Sequence, residues 1–174
     1  MLGPTNKKTR KVEKMNTGKT RFIVYTAIIA GIYASLTISM APVSYGAIQM
    51  RIPEILTLLA FVNPQFAPGL ILGCFIANLF SPFGMIDVIV GTFATAVAVY
   101  SMRYARNIWI ASLMPTMAHG IIVGLEIALL AQLPIMETMF YVALGEFIVV
   151  TVAGVPVFKS LSKKIMQHTE AHFS

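Results

Sequence analysis

Two charged residues, Arg51 and Glu54, lie in the stretch SYGAIQMRIPEIL, between two long apolar runs. Charges at such positions are costly in hydrocarbon, and they usually pair with each other or face a wet cavity. Further isolated polar residues in the apolar runs are Asn78, Asp87, Glu126 and Glu137. Carboxylates accept hydrogen bonds from amide-like edges and from amines, so such a set suits a donor-rich or cationic ligand.

Helix capping is the alternative for two of these carboxylates. Asp87 and Glu137 are expected near helix N-termini, where the helix dipole favours an anion. Glu126 is expected near a helix C-terminus, where the dipole disfavours an anion, so capping does not account for it. Glu146 follows Glu137 by nine residues, about half a turn round a helix, so the two do not face one pocket. Glu146 is therefore a secondary candidate.

One predicted helix has a polar face. The polar residues on it are Ser112, Thr116, His119 and Glu126. Their offsets of four, three and seven residues put them on the same side of a helix. His119 is a candidate site residue, although a lone buried histidine also serves in packing. Gly120 and Gly124 are interpreted as close-packing positions between helices.

The composition indicates where these residues reside. Of 174 residues, 57% are hydrophobic and 11% are charged, which is typical of a membrane protein. Charge-free stretches, broken at Asn63-Pro64, at Ser81-Pro82 and at RYARN, divide the chain into six spans. The predicted spans are Phe22 to Ser44, Pro53 to Val62, Gln65 to Phe80, Met85 to Met102, Ile108 to Gln132, and one from near Ile135 to FKSLSKK. We expect an all-α integral membrane protein with a six-helix domain over 22–162, a basic tail over 1–21 and a second tail over 163–174.

The cationic residues orient this fold. Seven lysines and arginines precede the first span, two lie between the fourth and fifth, and three follow the sixth, which makes twelve of the thirteen. With an even number of spans, these three groups share one side, which the positive-inside rule makes cytoplasmic. Both termini are therefore expected on the cytoplasmic side of the plasma membrane. Arg51 falls on the outer side, and topology does not account for it.

The chain around Arg51 is expected to form an extended loop over the outer mouth of the bundle. YGAIQMR alternates apolar and polar residues, contains a glycine and precedes Pro53. Tyr45 and Gln49 would reach into a cavity below, while Arg51 and Glu54 would either pair with each other or meet a ligand. A polar cavity under such a loop suits a small molecule. A solvated interfacial loop is the alternative.

The sequence contains no motif of a hydrolase or an ATPase. NTGKT ends like a phosphate-binding loop, but Glu13 occupies the position of its leading glycine. HExxH, paired CxxC and GxSxG do not occur, and Cys74, the single cysteine, has no disulfide partner in the chain. No inverted repeat of broken helices is visible. We therefore expect a binding subunit that is not an enzyme and that takes its energy from partner proteins.

Several segments resemble a known family. They are AIIAGIYA in the first span, YGAIQMRIPEILTLLAF, GLILGCFIANLFSPFGMIDVIVGTFAT and the His119-Gly120 segment. They resemble the QueT family, substrate-binding S components of energy-coupling factor (ECF) transporters for queuosine precursors, and the resemblance covers most of Phe22 to Lys164. It implies a module of one transmembrane coupling protein and two ATPases. The partners would hydrolyse ATP, and this chain would need no cofactor.

The resemblance also implies roles for particular residues. The first span would dock the module through its small residues, which let helix backbones approach closely. These residues are Ala27, Ala30, Gly31 and Ala34. Packing inside the bundle is the alternative for Ala30 and Ala34.

The ligand implied by the resemblance is a deazaguanine-type base. Its donor edge and its amine call for carboxylates, and its flat ring calls for an aromatic face such as Tyr45 or Tyr141. Two alternatives remain open. One is an S component for a different vitamin. The other is a membrane scaffold without a ligand, in which the acidic residues pair with Arg51.

Overall fold

The computed structural model describes residues 5–45 and 50–160, with the side chains of 18–45 and 50–160. Within these ranges the chain is helical and contains no strand, which confirms the all-α prediction. The α-helices are α1 (Thr5–Ser39), α2 (Ala41–Ser44), α3 (Leu58–Val62), α4 (Ala67–Asn78), α5 (Met85–Ser101), α6 (Ile108–Leu130) and α7 (Ile135–Glu146). Ile52–Thr57, Pro64–Phe66 and Met102–Tyr104 form 3₁₀ helices, and Phe147–Gly154 forms a π-helix that continues α7.

Four helical stretches of the described ranges are long and apolar enough to cross a membrane. They are Gly18–Ser39, Met85–Tyr104, Ile108–Leu130 and Ile135–Ser160, and Ile52–Val62 is a shorter apolar helix. The predicted count of six transmembrane helices is not confirmed, since seven α-helices are found here and only four belong to long stretches. The 12 residues of α4 rise only about 18 Å, against a hydrocarbon core of about 30 Å.

Prolines account for the difference between predicted and observed boundaries. The first span was expected to continue to Ser44, but α1 ends at Ser39, and α2 begins with Pro42 in its first turn. Of the expected extended loop, 46–49, including Gln49, lie outside the described residues. Arg51 has extended backbone angles, φ −83° and ψ 90°, and the 3₁₀ helix that follows it has Pro53 in its first turn.

Glycines on α4 bring it close to α1. Gly69 lies against Thr26 and Ile29, and Gly73 lies against Ala30 and Tyr33. A Cβ atom on Gly73 would be 2.8 Å from the Cβ of Tyr33, so only glycine permits this approach. The contacts advance in the same order along both helices, and α1 and α4 therefore run parallel.

Glycines on α6 bring it equally close to α7. A Cβ atom on Gly120 would be 2.7 Å from the Cβ of Ala143, and one on Gly124 would be 2.7 Å from the Cα of Met139. The prediction that both glycines are close-packing positions is confirmed. The contacts run in opposite orders along the two helices, so α6 and α7 are antiparallel.

The outside of the bundle is apolar, as a lipid-facing surface requires. Ile89, Met136 and Phe140 are 66%, 78% and 63% exposed, although large apolar side chains are usually buried in soluble proteins. The interior is packed around Tyr33, Leu70 and other apolar residues, together with an unusual number of charged groups. These interior charges define the candidate site.

Candidate functional site

Arg51 lies inside the bundle and pairs with Asp87. Its Nη2 is 3.4 Å from Oδ2 of Asp87, and the two residues are 3% and 1% exposed. Its guanidinium lies 5.6 Å from the centre of the Tyr45 ring. The Tyr45 hydroxyl donates to the carbonyl of Ala77 at 2.6 Å, and burial raises the pKa of Tyr45, so this donor stays protonated. Arg51 therefore connects the segment after α2 with α4 and α5.

Asn78 holds the same end of the site. Its Nδ2 donates to the backbone carbonyl of Asp87 at 3.0 Å and lies 3.4 Å from the sulfur of Cys74. Gly91 is required beside them, because a Cβ there would be 2.6 Å from Nδ2 of Asn78 and 2.9 Å from Oδ1 of Asp87. Within the described residues, Nε of Arg51, Oδ1 of Asn78 and Oδ1 of Asp87 have no hydrogen-bond partner. This end therefore keeps one donor and two acceptors unused.

His119 lies between two glutamates at the other end of the site. Its Nδ1 is hydrogen-bonded to Oε1 of Glu146, and its Nε2 is 4.0 Å from Oε1 of Glu54. Oε1 of Glu54 also accepts from the hydroxyl of Tyr33. With the proton on Nδ1, Nε2 accepts from Thr95, whose Oγ1 is 3.2 Å away. Both glutamates are 2% exposed or less, and neither Oε2 has a partner among the described residues.

The sulfur of Cys74 connects the two ends. It is 3.9 Å from Nη1 of Arg51 and 3.1 Å from Oγ1 of Thr95, which in turn contacts His119. We call the resulting network the buried polar cluster, and its members are Tyr33, Arg51, Glu54, Cys74, Asn78, Asp87, Thr95, His119 and Glu146. It draws on α1, α4, α5, α6, α7 and the segment before α3. Such a network can bind a polar ligand, and the ligand atoms of Glu54, His119 and Glu146, all within 4.8 Å of one another, could also hold a divalent cation.

The structure brings together five of the residues that the sequence indicated, with Tyr45 at the edge of the set. The five are Arg51, Glu54, Asn78, Asp87 and His119. Arg51 pairs with Asp87. A pair between Arg51 and Glu54, which was one of the two expected arrangements, is not formed. The network also answers why an arginine and a glutamate lie between two apolar runs, since each has partners on other helices.

Three other candidates are not members of the buried polar cluster. Glu126 is one of the residues that line a groove of about 400 Å³ between α5 and α6, whose other lining side chains, such as Ile86, Val90 and Leu129, are apolar. Its carboxylate oxygens are buried, and the carboxylate interacts electrostatically with Asp87 and Arg51 of the cluster. Glu126 is 6% exposed, and neither of its oxygens has a hydrogen-bond partner among the described residues. Glu137 and Tyr141 lie on the exposed face of α7. The expectation that the acidic residues share one pocket therefore needs correction for Glu137, whereas Glu126 lies near Asp87 and Arg51 without a hydrogen bond to either.

Glu146 is the member that sequence reasoning ranked too low. The helical geometry was right, since Glu146 and Glu137 do face opposite ways, but Glu137 is the exposed one. A signal was available in the apolar residues around Glu146, GEFIVV, which make an unpaired outward carboxylate costly. Tyr33, Cys74 and Thr95 were missed because such residues are ordinary within apolar helices.

The small residues of α1 divide between two faces. Ala30 and Ala34 are 2% and 5% exposed, and Ala30 packs against Gly73 of α4. Ala27 and Gly31 are exposed. The prediction that all four form one docking face is therefore corrected. Ala30 and Ala34 lie inside the bundle, as the alternative held, and only Ala27 and Gly31 are accessible to a partner.

Charged groups enclosed by apolar helices mark substrate pathways, ion pathways and ligand sites in membrane proteins, and this arrangement is compatible with the class of membrane transporters. Comparison with known proteins narrows this class. The family described as QueT transporter matches residues 23–163. A relative, the Queuosine precursor transporter QueT of Lactococcus lactis subsp. cremoris (strain MG1363), is 32% identical over 149 residues, which cover 76% of this chain and 88% of the relative. The chain belongs to the QueT family, which comprises transporters and not enzymes. No solved structure matches the chain.

Proposed function

We propose that this chain is the substrate-binding S component of an ECF-type importer, and that it binds a queuosine precursor in the buried polar cluster. The relative from Lactococcus lactis carries the name of that activity. The observation that carries the proposal is the set of unused polar atoms beside Asp87: a donor on Arg51 and acceptors on Asp87 and Asn78. A guanine-like edge offers the complementary set, an acceptor at O6 and donors at N1 and N2.

Buried polar atoms without partners are costly, and each costs about 1–3 kcal/mol. A ligand that satisfies several of them at once binds with a corresponding gain, and one that mismatches them is rejected. Asn78 is the last residue of α4, Asp87 lies in the first turn of α5, and Arg51 directly precedes the 3₁₀ helix before α3, so this part of the cluster lies at one end of these helices. This position suits a ligand that enters from the end of the bundle where Tyr45 lies.

The proposed topology has the cytoplasm at the opposite end. Tyr25, near the basic tail, packs against Phe66 at the start of α4, and Lys159 lies over the ring of Trp109 at the start of α6. Arg103 follows α5, which runs antiparallel to α4, because Cys74 contacts Gly91 and Thr95 while Asn78, further along α4, contacts the earlier Asp87. The basic groups of all three regions therefore gather at one end, which the positive-inside rule assigns to the cytoplasm.

The proposed energy source is a separate module of a transmembrane coupling protein and two ATPases. In this proposal the chain hydrolyses no ATP and holds no cofactor of its own. The exposed face of α1 at Ala27 and Gly31 is the proposed docking surface, since small residues permit close helix contact within a membrane. In this proposal, the ligand is released when the orientation of this chain relative to the coupling protein changes.

Mass spectrometry of the small molecules that co-purify with the full chain tests the ligand class. We expect a deazaguanine-type base, and we expect the same base to raise the melting temperature of the stripped protein when it is titrated back. Recovery of another vitamin, with stabilisation by that vitamin alone, would identify an S component of different specificity.

A scaffold without a ligand is the second candidate, and the Arg51–Asp87 pair favours it because internal pairing is what a scaffold requires. A scaffold would show neither a co-purifying small molecule nor stabilisation by any base in the titration. The unused atoms of the cluster weigh against it, since a purely structural network is expected to satisfy its own members.

A further inference from the structure

The charges of the buried polar cluster do not balance. Its carboxylates are Glu54, Asp87 and Glu146, and its guanidinium is that of Arg51. With His119 neutral, the ionised cluster carries two excess negative charges, and with His119 protonated it still carries one. Buried charges are normally paired, so an uncompensated charge in this interior indicates that something else supplies a positive charge.

The excess lies at one end of the cluster. Asp87 has Arg51 as its direct partner at 3.4 Å. Among the described residues, the carboxylates of Glu54 and Glu146 contact the neutral Tyr33 hydroxyl and the two nitrogens of His119, and Arg51 acts on both carboxylates at longer range. Each glutamate uses its Oε1 in these contacts and leaves its Oε2 without a partner in the described part of the chain. Two free carboxylate oxygens near one imidazole match an ammonium group, which has three donors and no acceptor.

We propose that Glu54 and Glu146 bind a cationic amine of the substrate, so that this chain selects deazaguanine bases that carry an ammonium group over neutral bases of the same shape. The inference rests on the proposed function and divides the cluster between two parts of one ligand. The Arg51, Asn78 and Asp87 end meets the guanine-like edge. The Glu54 and Glu146 end meets the amine.

A divalent cation at Glu54, His119 and Glu146 would be one competing source of positive charge, and it would disfavour an ammonium group at the same place. Protons are the other. If a proton neutralised Glu54 or Glu146, the carboxyl would offer a donor as well as an acceptor, and a hydroxyl group would satisfy it as well as an ammonium does. The two cases therefore differ in ligand preference. An ionised pair favours the amine, and a protonated pair does not discriminate between amine and hydroxyl.

Two probes of nearly equal size separate these cases: 7-aminomethyl-7-deazaguanine, which is cationic, and 7-hydroxymethyl-7-deazaguanine, which is neutral. Titration calorimetry on the purified full chain should show the amine binding about ten- to a hundred-fold more tightly, as expected for a charge-assisted hydrogen bond. Equal affinities for the two probes would overturn the inference while leaving the proposed function intact. If neither probe binds, the proposed function fails and this inference fails with it.

Variants assign the preference to its residues. Glu54→Gln and Glu146→Gln should each reduce the ratio of the two affinities toward one, mostly by weakening the amine. Glu137→Gln, at an exposed position of α7, is the matched control outside the cluster and should keep the wild-type ratio. A ratio that survives both cluster substitutions, or that disappears in Glu137→Gln, would overturn the assignment. The wild-type comparison of the two probes stays decisive even where a variant does not fold.

Discussion

A substitution of Asp87 tests most directly whether the cluster binds a guanine-like edge. One carboxylate oxygen of Asp87 pairs with Arg51, and the other has no hydrogen-bond partner among the described residues. Asp87→Asn keeps the shape of the side chain, removes the charge and replaces an acceptor with a donor. We expect the affinity of the folded protein for 7-aminomethyl-7-deazaguanine to fall about ten- to a hundred-fold, in line with about 1.5–3 kcal/mol for a hydrogen bond to a charged group.

The loss of a buried ion-pair partner also destabilises the fold, so the titration must be made on the folded fraction. Glu137→Gln is the matched control, since it makes the same chemical change at an exposed position of the neighbouring region and should leave the affinity unchanged. An unchanged affinity in folded Asp87→Asn would remove Asp87 from the binding site.

A site residue could be predicted from the sequence when its side chain is unusual within an apolar helix. Arg51, Glu54 and Asp87 could be predicted because a charge in a membrane span needs a partner. Tyr33 and Thr95 could not, because their side chains also occur in ordinary packed helices and only the three-dimensional contacts reveal their polar partners. Glu126 was expected to lead the site, and it lies near Asp87 and Arg51 without a hydrogen bond to either, because its helical face alone did not specify its neighbours on other helices.

At the scale of elements, α1 has a packed face and an exposed face that its sequence does not separate. Ala30 and Tyr33 pack against Gly73, while Ala27 and Gly31 lie on the exposed face. The small residues were visible in the sequence, but their division between faces depends on where α4 approaches. Similarly, proline positions predicted where helices end, whereas the shortness of Ile52–Val62 and of α4 depends on how the chain packs.

Gly31→Leu tests the proposed docking face of α1. No atom lies within 4 Å of a Cβ built on Gly31, so the substitution should leave the fold and ligand affinity unchanged. Uptake of labelled base into cells should fall strongly, because the larger side chain separates α1 from the coupling protein. Val152→Leu, at a position that is 54% exposed on another helix, is the matched control and should transport normally.

Normal uptake by Gly31→Leu would show that the module docks elsewhere on the chain. Ala30→Leu is unsuitable for this purpose. The backbone of Ala30 lies about as close to Gly73 as packing permits, with its carbonyl oxygen 3.0 Å from a Cβ built there, so a leucine would disturb the bundle itself.

At the scale of the whole molecule, the proposed orientation is tested by labelling single cysteines in intact cells. Met136 is 78% exposed at the start of α7, and Tyr104 is 72% exposed after α5, at the opposite end of the bundle. A membrane-impermeant maleimide should label Met136→Cys and should not label Tyr104→Cys. The native Cys74 is fully buried and adds no background. The reverse pattern of labelling would invert the topology.

The central claim is that this chain captures the ligand while separate proteins supply the energy, and reconstitution into proteoliposomes tests it most directly. The chain alone should bind 7-aminomethyl-7-deazaguanine without accumulating it inside the vesicles, with or without ATP. With the coupling protein and both ATPases added, ATP should drive accumulation against a gradient. Accumulation against a gradient by the chain alone would contradict the account, since it would make this chain a complete transporter.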